Sequence, residues 1–168
     1  MDVFEVAQTV LAVRRFQAKA VSDGLVHRIV ESARLTASSS NRQPWNFIVI
    51  QNRITLQQLG ALARSGPYIA EAAFAVAVVM DRVSSAGTDA GRAIQTMVMT
   101  AWAEGVGSNW VGTRGSEEFK TLLGVPADLD IAAIVPFGYP AVRVGKGKKN
   151  RKPLAQVAHK ERFGQPLS

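Results

Sequence analysis

Apolar residues recur at helical spacing near the start of the chain, at Val3, Val6, Ala7 and Val10. This predicts an N-terminal helix capped by Asp2. Ser22-Asp23 opens a second helix with an inner face of Leu25, Ile29, Val30 and Ala33. Asn46 to Ile50 reads as a strand. Thr55 and Gln58 have the spacing of a capping box, which would start a short helix through Leu59 and Leu62. Phe74 to Met80 is apolar throughout, as a strand buried on both faces would be. Thr88-Asp89 then caps a long helix through Ala93, Ile94, Met97, Val98 and Ala101, which Gly105 ends. Trp110-Val111 begins a short strand. Ser116 starts a helix that stops at Gly124, and Ile131 to Phe137 is a last strand before Gly138-Tyr139-Pro140. Mixed periods of this kind predict an α+β fold with a small sheet covered by helices.

Composition narrows the function classes. At 168 residues the chain is expected to form one domain spanning 1–168, with enough apolar residues for a core. It has no cysteine and only two histidines, His27 and His159, which argues against a thiolate or multi-histidine metal site and against a Cys nucleophile. The longest apolar run, Ala72 to Met80, is too short to cross a bilayer, and MDVFEVAQ lacks a signal-peptide core. These features predict a cytoplasmic protein without a membrane partner. Residues 1–140 carry 12 basic and 12 acidic side chains, whereas residues 141–168 carry eight basic and one acidic. The charge excess therefore lies in the tail, centred on VGKGKKNRK at 144–152, and suggests a phosphate-bearing partner.

The densest polar cluster is Ser38-Ser39-Ser40-Asn41-Arg42-Gln43, between a predicted helix and a predicted strand. Its hydroxyls, amides and backbone N–H groups suit a polyoxygenated ligand. The same composition also describes a loop that merely turns the chain. Gln43-Pro44-Trp45 adds a rigid aromatic edge, which favours the first reading. Gly105 to Trp110 lacks the third glycine of a dinucleotide fingerprint and follows a helix, and no G-x-S-x-G is present. His27 and His159 fit surface and tail positions. Trp45, Trp110, Met97, Met99 and Trp102 fit core or interface packing at least as well as a ring-stacking role.

SSSNRQPWNFIVI resembles the serine-rich signature of the nitroreductase family of FMN-dependent oxidoreductases. VRRF at 13–16, the long helix followed by EGVGSNWVG, PFGYP at 136–140, Lys149 with Arg151 and Pro153-Leu154, and the closing HKERFG are similar to further family segments in the same order. The resemblance implies a nitroreductase-like fold with a small central mixed or antiparallel sheet. It also implies a homodimer with FMN at the subunit interface. NADH or NADPH would reduce the flavin, which would pass the hydride in a ping-pong cycle to a nitro compound, quinone or similar acceptor.

The resemblance places Ser38, Ser39 and Asn41 against the flavin of the partner subunit. It places Val111 and Gly112 beside the flavin ring, with a backbone N–H toward N5. Arg14, Lys149 and Arg151, with Arg15 as a substitute donor, would meet the phosphate, so the 141–168 tail would dock on the phosphate or the partner. No side chain is expected to act as catalytic acid, base or nucleophile, because the cofactor carries the chemistry. The chain departs from the family where an Arg and a Ser are usual, reading Val10, Leu11 and Ala12. It also reads Thr36-Ala37 before the serines, and it keeps only a short segment between Asp81 and Asp89 where relatives carry a lid. Two other readings remain open: a flavin carrier or sensor without efficient turnover, and a basic domain binding nucleic acid through its tail.

Overall fold

The computed structural model describes residues 1–113, 116–142 and 149–167. In chain order the elements are α1 (Val3–Thr9), α2 (Asp23–Arg34), β1 (Trp45–Ile50), α3 (Arg53–Leu62), β2 (Phe74–Asp81), α4 (Ala86–Ala103), β3 (Gly107–Ser108), α5 (Glu117–Leu123) and β4 (Leu129–Gly138). The strands form one antiparallel sheet in the order β1-β2-β4-β3. This is the α+β architecture that the periodicities predict, and its sheet is antiparallel rather than mixed. Most of the basic 144–152 stretch lies outside the described residues.

β2 is central, and its alternating side chains feed two cores. Phe74, Val76, Val78 and Met80 point to the layer formed by α2 and α4. Ala75, Ala77 and Val79 point to the layer formed by α3 and α5. Phe74 stacks on Phe137 across the sheet, with ring centroids 4.8 Å apart. The register slips between Val78 and Val79, which pair with Ala133 and Ile131. Ala132 is the extra residue of this bulge, and it explains why Ile131 and Ile134, three apart, face the same layer.

Several predicted boundaries shift for physical reasons. The α3 cap is Asn52, whose Oδ1 accepts from the N–H groups of Ile54 (2.9 Å) and Thr55 (3.1 Å). Thr55 and Gln58 therefore sit inside the helix rather than forming a capping box. α2 buries Val26 with Ile29 and Ala33, while Leu25 and Val30 pack at the margin of the core. α4 begins at Ala86, so Asp89 is not its cap. The short strand is Gly107–Ser108 rather than Trp110-Val111. Opposite Asn109 stands Pro136, which has no N–H to continue the ladder, and Val111 rejoins β4 through a single bridge to Ile134.

The segment after α1 extends the sheet at the β3 edge. Ala12 bridges Ser108 in parallel, and the Val13 N–H donates to the Ser108 carbonyl at 2.9 Å. Val13 and Phe16 face inward toward Ala72, Tyr68 and Trp102, while Arg14 and Arg15 face solvent. Close approach here requires glycine. A Cβ on Gly107 would lie inside the Val13 side chain, and one on Gly138 would lie 2.9 Å from a Phe16 ring carbon. Gly107→Ala should therefore destabilise the fold by about 1–3 kcal/mol, because overpacking forces a backbone shift. A lowered urea midpoint at unchanged slope checks this; an unchanged midpoint would contradict it.

Candidate functional site

The serine loop joins α2 to β1 as one tight turn, Ser39–Asn41. Ser40, Asn41 and Gln43 hold φ values of 52°, 53° and 51°. Left-handed geometry at three non-glycine residues so close together is strained, and it persists only where the surroundings hold it. The Gln43 N–H donates to the Ser38 hydroxyl oxygen at 2.9 Å. The Ser39 N–H and hydroxyl both donate to Asp89 Oδ1, at 3.0 and 3.2 Å. These bonds leave Asn41 exposed with its side-chain amide in no hydrogen bond among the described residues, and leave the Ser38 hydroxyl proton available.

Asp89 is fully buried in the first turn of α4. Burial opposes its ionisation, but the nearby Ser85 hydroxyl, the Ser39 N–H and hydroxyl, and the Arg92 charge outweigh it. Together they hold the carboxyl below the ordinary aspartate range. The Arg92 guanidinium lies 3.6 Å away. The sequence offered a signal for this residue: an acid on the apolar face of α4, beside Ala90 and Ala93, cannot be a solvated surface charge.

A second polar group forms at the other end of α4. Trp102, near the helix C-terminus, donates its indole N–H to the Thr9 hydroxyl at 3.0 Å and fixes α1 there. The α1-to-β3 segment carries Arg14 and Arg15, and the Ala141 N–H donates to the Arg15 carbonyl. Lys149 returns to the same corner and donates to the Ala7 carbonyl at 2.6 Å, near the open end of α1. Burial, and then the like charge of Arg151, lower the Lys149 ammonium below the usual lysine range. Among the described residues no carboxylate forms an ion pair with Arg14, Arg15, Lys149 or Arg151. Cations without a counter-charge suit an anionic ligand group.

A cavity of 630 Å³ opens between α3 and α5, lined by Leu62, Arg64, Ser65, Gly112, Thr113 and Phe119 among others. Val111 is buried, and both its N–H and its carbonyl are paired with Ile134. Gly112 is exposed on the cavity wall, and its N–H donates to no acceptor among the described residues. Of the two ring-side residues expected from sequence, Gly112 therefore offers the free donor. Arg64 and Ser65, which sequence reasoning did not select, share this wall. Trp45 lies in the core against Phe47, and Trp110 is about half exposed. Among the described residues no cluster of three His, Cys, Asp or Glu side chains could hold a metal, and no helix is long and apolar enough to cross a membrane.

The serine loop and the basic corner lie at opposite corners of the fold. The loop enters β1 at Trp45, opposite Met80 at the far end of β2, whereas Val13 and Arg15 meet Ser108 and Ala141 beside the start of β2. From Asp89 to Trp102 along α4 is about 20 Å at 1.5 Å per residue. The four strands together span about 14 Å of width.

The profile of the nitroreductase family matches residues 11–88 and 80–139. The chain belongs to the nitroreductase family. That family is one of oxidoreductases. Relatives in Methanothermobacter thermautotrophicus and Archaeoglobus fulgidus, both named "Putative NADH dehydrogenase/NAD(P)H nitroreductase", are 27% and 29% identical to it. The matches cover 86% and 77% of this chain and 81% and 80% of theirs. A solved structure described as an FMN-dependent nitroreductase from Clostridium difficile R20291 superposes with a TM-score of 0.88 at 20% identity. That match covers 95% of this chain and 99% of the other, and it shows that the fold is shared.

Because the Asp89 carboxyl ionises below its ordinary range, its contribution is complete above that range and is lost as pH falls through its folded-state value. The protection factor of the Ser39 amide should therefore hold from neutral pH down to about pH 4, the ordinary aspartate value, and fall only below it. Amide exchange by NMR across a pH series checks this; loss of protection well above pH 4 would contradict it.

Proposed function

We propose that this nitroreductase-family chain is an NAD(P)H-dependent FMN oxidoreductase that works as a homodimer. The supporting observation is Gly112, which lines a 630 Å³ cavity and whose N–H donates to no acceptor among the described residues. A reduced flavin gathers negative charge beside its ring nitrogens, and a preorganised backbone donor at that position favours reduction. A Cβ on Gly112 would meet nothing within 4 Å, so a planar ring has room to approach.

The chain's residues fit FMN in two groups. Lys149 and Arg151, with Arg14 and Arg15 alongside, would hold the phosphate through charge-assisted hydrogen bonds. Arg15 and Lys149 would offset the loss of the usual Arg and Ser, replaced by Val10, Leu11 and Ala12. Ser38 and Asn41 would contact the flavin bound by the neighbouring chain, with Ser39 holding the loop from below. Val111 would pack behind Gly112 and fix where its N–H points. Held there, FMN would supply two-electron redox chemistry between NADH or NADPH and a nitro compound, quinone or similar acceptor, in a ping-pong cycle. The cavity beside Gly112 would orient that second substrate against the ring and keep water out. No side chain is assigned a proton-transfer or nucleophilic role. Use of the NAD(P)H pool is consistent with a cytoplasmic location.

The purified protein should show a flavin absorption spectrum that bleaches anaerobically with NADH or NADPH, and the effective donor names the physiological reductant. A spectrum that persists with both would favour a carrier or sensor. A colourless protein that takes up no added FMN would contradict the reading. Arg151→Ala should weaken FMN binding about tenfold, the value of one hydrogen bond to a charged group, while the urea midpoint of the apoprotein stays unchanged. Equal affinity, measured by flavin fluorescence, would remove Arg151 from the phosphate site.

A further inference from the structure

Asp89 is the one fully buried carboxylate among the described residues, and it lies on no cavity described above. Its Oδ1 receives both Ser39 donors, while its Oδ2 accepts no hydrogen bond among the described residues. A half-satisfied buried carboxylate is a poor way to stabilise a fold, since an apolar side chain of similar size usually serves better. The bonds it does make converge on one target, Ser39, the first residue of a turn that with the following Gln43 carries three left-handed, non-glycine residues. Without an acceptor beneath Ser39, those residues would relax toward right-handed geometry and Asn41 would turn elsewhere.

We propose that Asp89 is a positioning residue for the cofactor: it holds the serine loop in the shape that presents Ser38 and Asn41 to the FMN of the partner subunit, without touching the FMN itself. This rests on the homodimeric FMN reading above. It extends the site to the N-terminal turn of α4, and it gives that buried charge a task in the neighbouring chain's cofactor pocket. Arg92, one turn along α4 and half exposed, is the only cation that forms an ion pair with Asp89 among the described residues, and it restrains the carboxylate from the solvent side.

The test compares the parent with Asp89→Ala, Asp89→Asn and Arg151→Ala. FMN affinity is read by flavin fluorescence, and exchange of the 38–43 amides is followed in each apoprotein by mass spectrometry. Asp89→Ala should weaken FMN about 10- to 100-fold, as expected for loss of hydrogen bonds to a charged group, and should speed exchange at Ser39 to Gln43. Asp89→Asn keeps an oxygen at Oδ1 and should recover most of the affinity.

Differently tagged Asp89→Ala and Arg151→Ala chains, co-expressed and isolated as a mixed dimer, give the decisive readout. One site of that dimer combines an intact serine loop with an intact Arg151, so it should bind one FMN per dimer with parental affinity. A merely structural defect in the Asp89→Ala chain would not be rescued in this way. Parental FMN affinity in Asp89→Ala, or a mixed dimer without a tight site, would overturn the proposal. A parent that binds no FMN would instead remove the reading on which it rests, and the proposal with it.

Discussion

α4 is a strut with a fixing contact at each end. Near its N-terminus a buried carboxylate grips the serine loop, and near its C-terminus Trp102 ties down α1, from which the Arg14-Arg15 segment runs along the sheet edge. An eighteen-residue helix packed along β2 does not bend to bring these ends together. That rigidity is the constraint on which the rest depends. On the proposed reading, each chain carries two halves of an FMN site that α4 holds apart, and a complete site would take the loop of one chain and the basic corner of another. The apolar residues that hold α4 on the sheet, from Ala90 to Ala101, would thereby set the geometry of a pocket they do not line.

The strained elements of the fold gather around this division. Three left-handed residues and a half-satisfied carboxylate sit at the serine loop, and uncompensated cations sit at the basic corner. None of these favours the isolated chain. Elsewhere the described structure is conventional: β2 is buried on both faces, glycines lie where Val13 and Phe16 press on the sheet, and side-chain caps close the N-termini of α1 and α3. Three of the four left-handed, non-glycine residues among those described lie in the serine loop, the fourth being Glu161 in the tail, and such clustering is what a functional site would produce.

Much of this was legible in the residues. The apolar run at Phe74 to Met80 announced a central strand, and the long spacing from Ala93 to Ala101 announced α4. The order of motifs from VRRF to HKERFG announced the family. What the sequence concealed depends on contacts between distant segments. Thr55 and Gln58 have the spacing of a capping box, yet Asn52 supplies the cap because Arg53 already begins the helix. Trp110-Val111 has strand propensity, yet Pro136 on the opposite strand breaks the ladder that would pair it. Asp89 reads as a helix cap, and only its contact with Ser39, fifty residues away, shows what it holds. Val111 and Gly112 are neighbours of similar promise, and the bridge to Ile134 separates the paired N–H from the free one.

The central claim is that a cofactor site exists only between two chains. Size-exclusion chromatography with light scattering, at protein concentrations spanning dissociation and with flavin absorbance recorded alongside, tests it most directly. The account predicts flavin in the dimer peak at one per chain and none in the monomer peak. Stoichiometric flavin travelling with the monomer would contradict it.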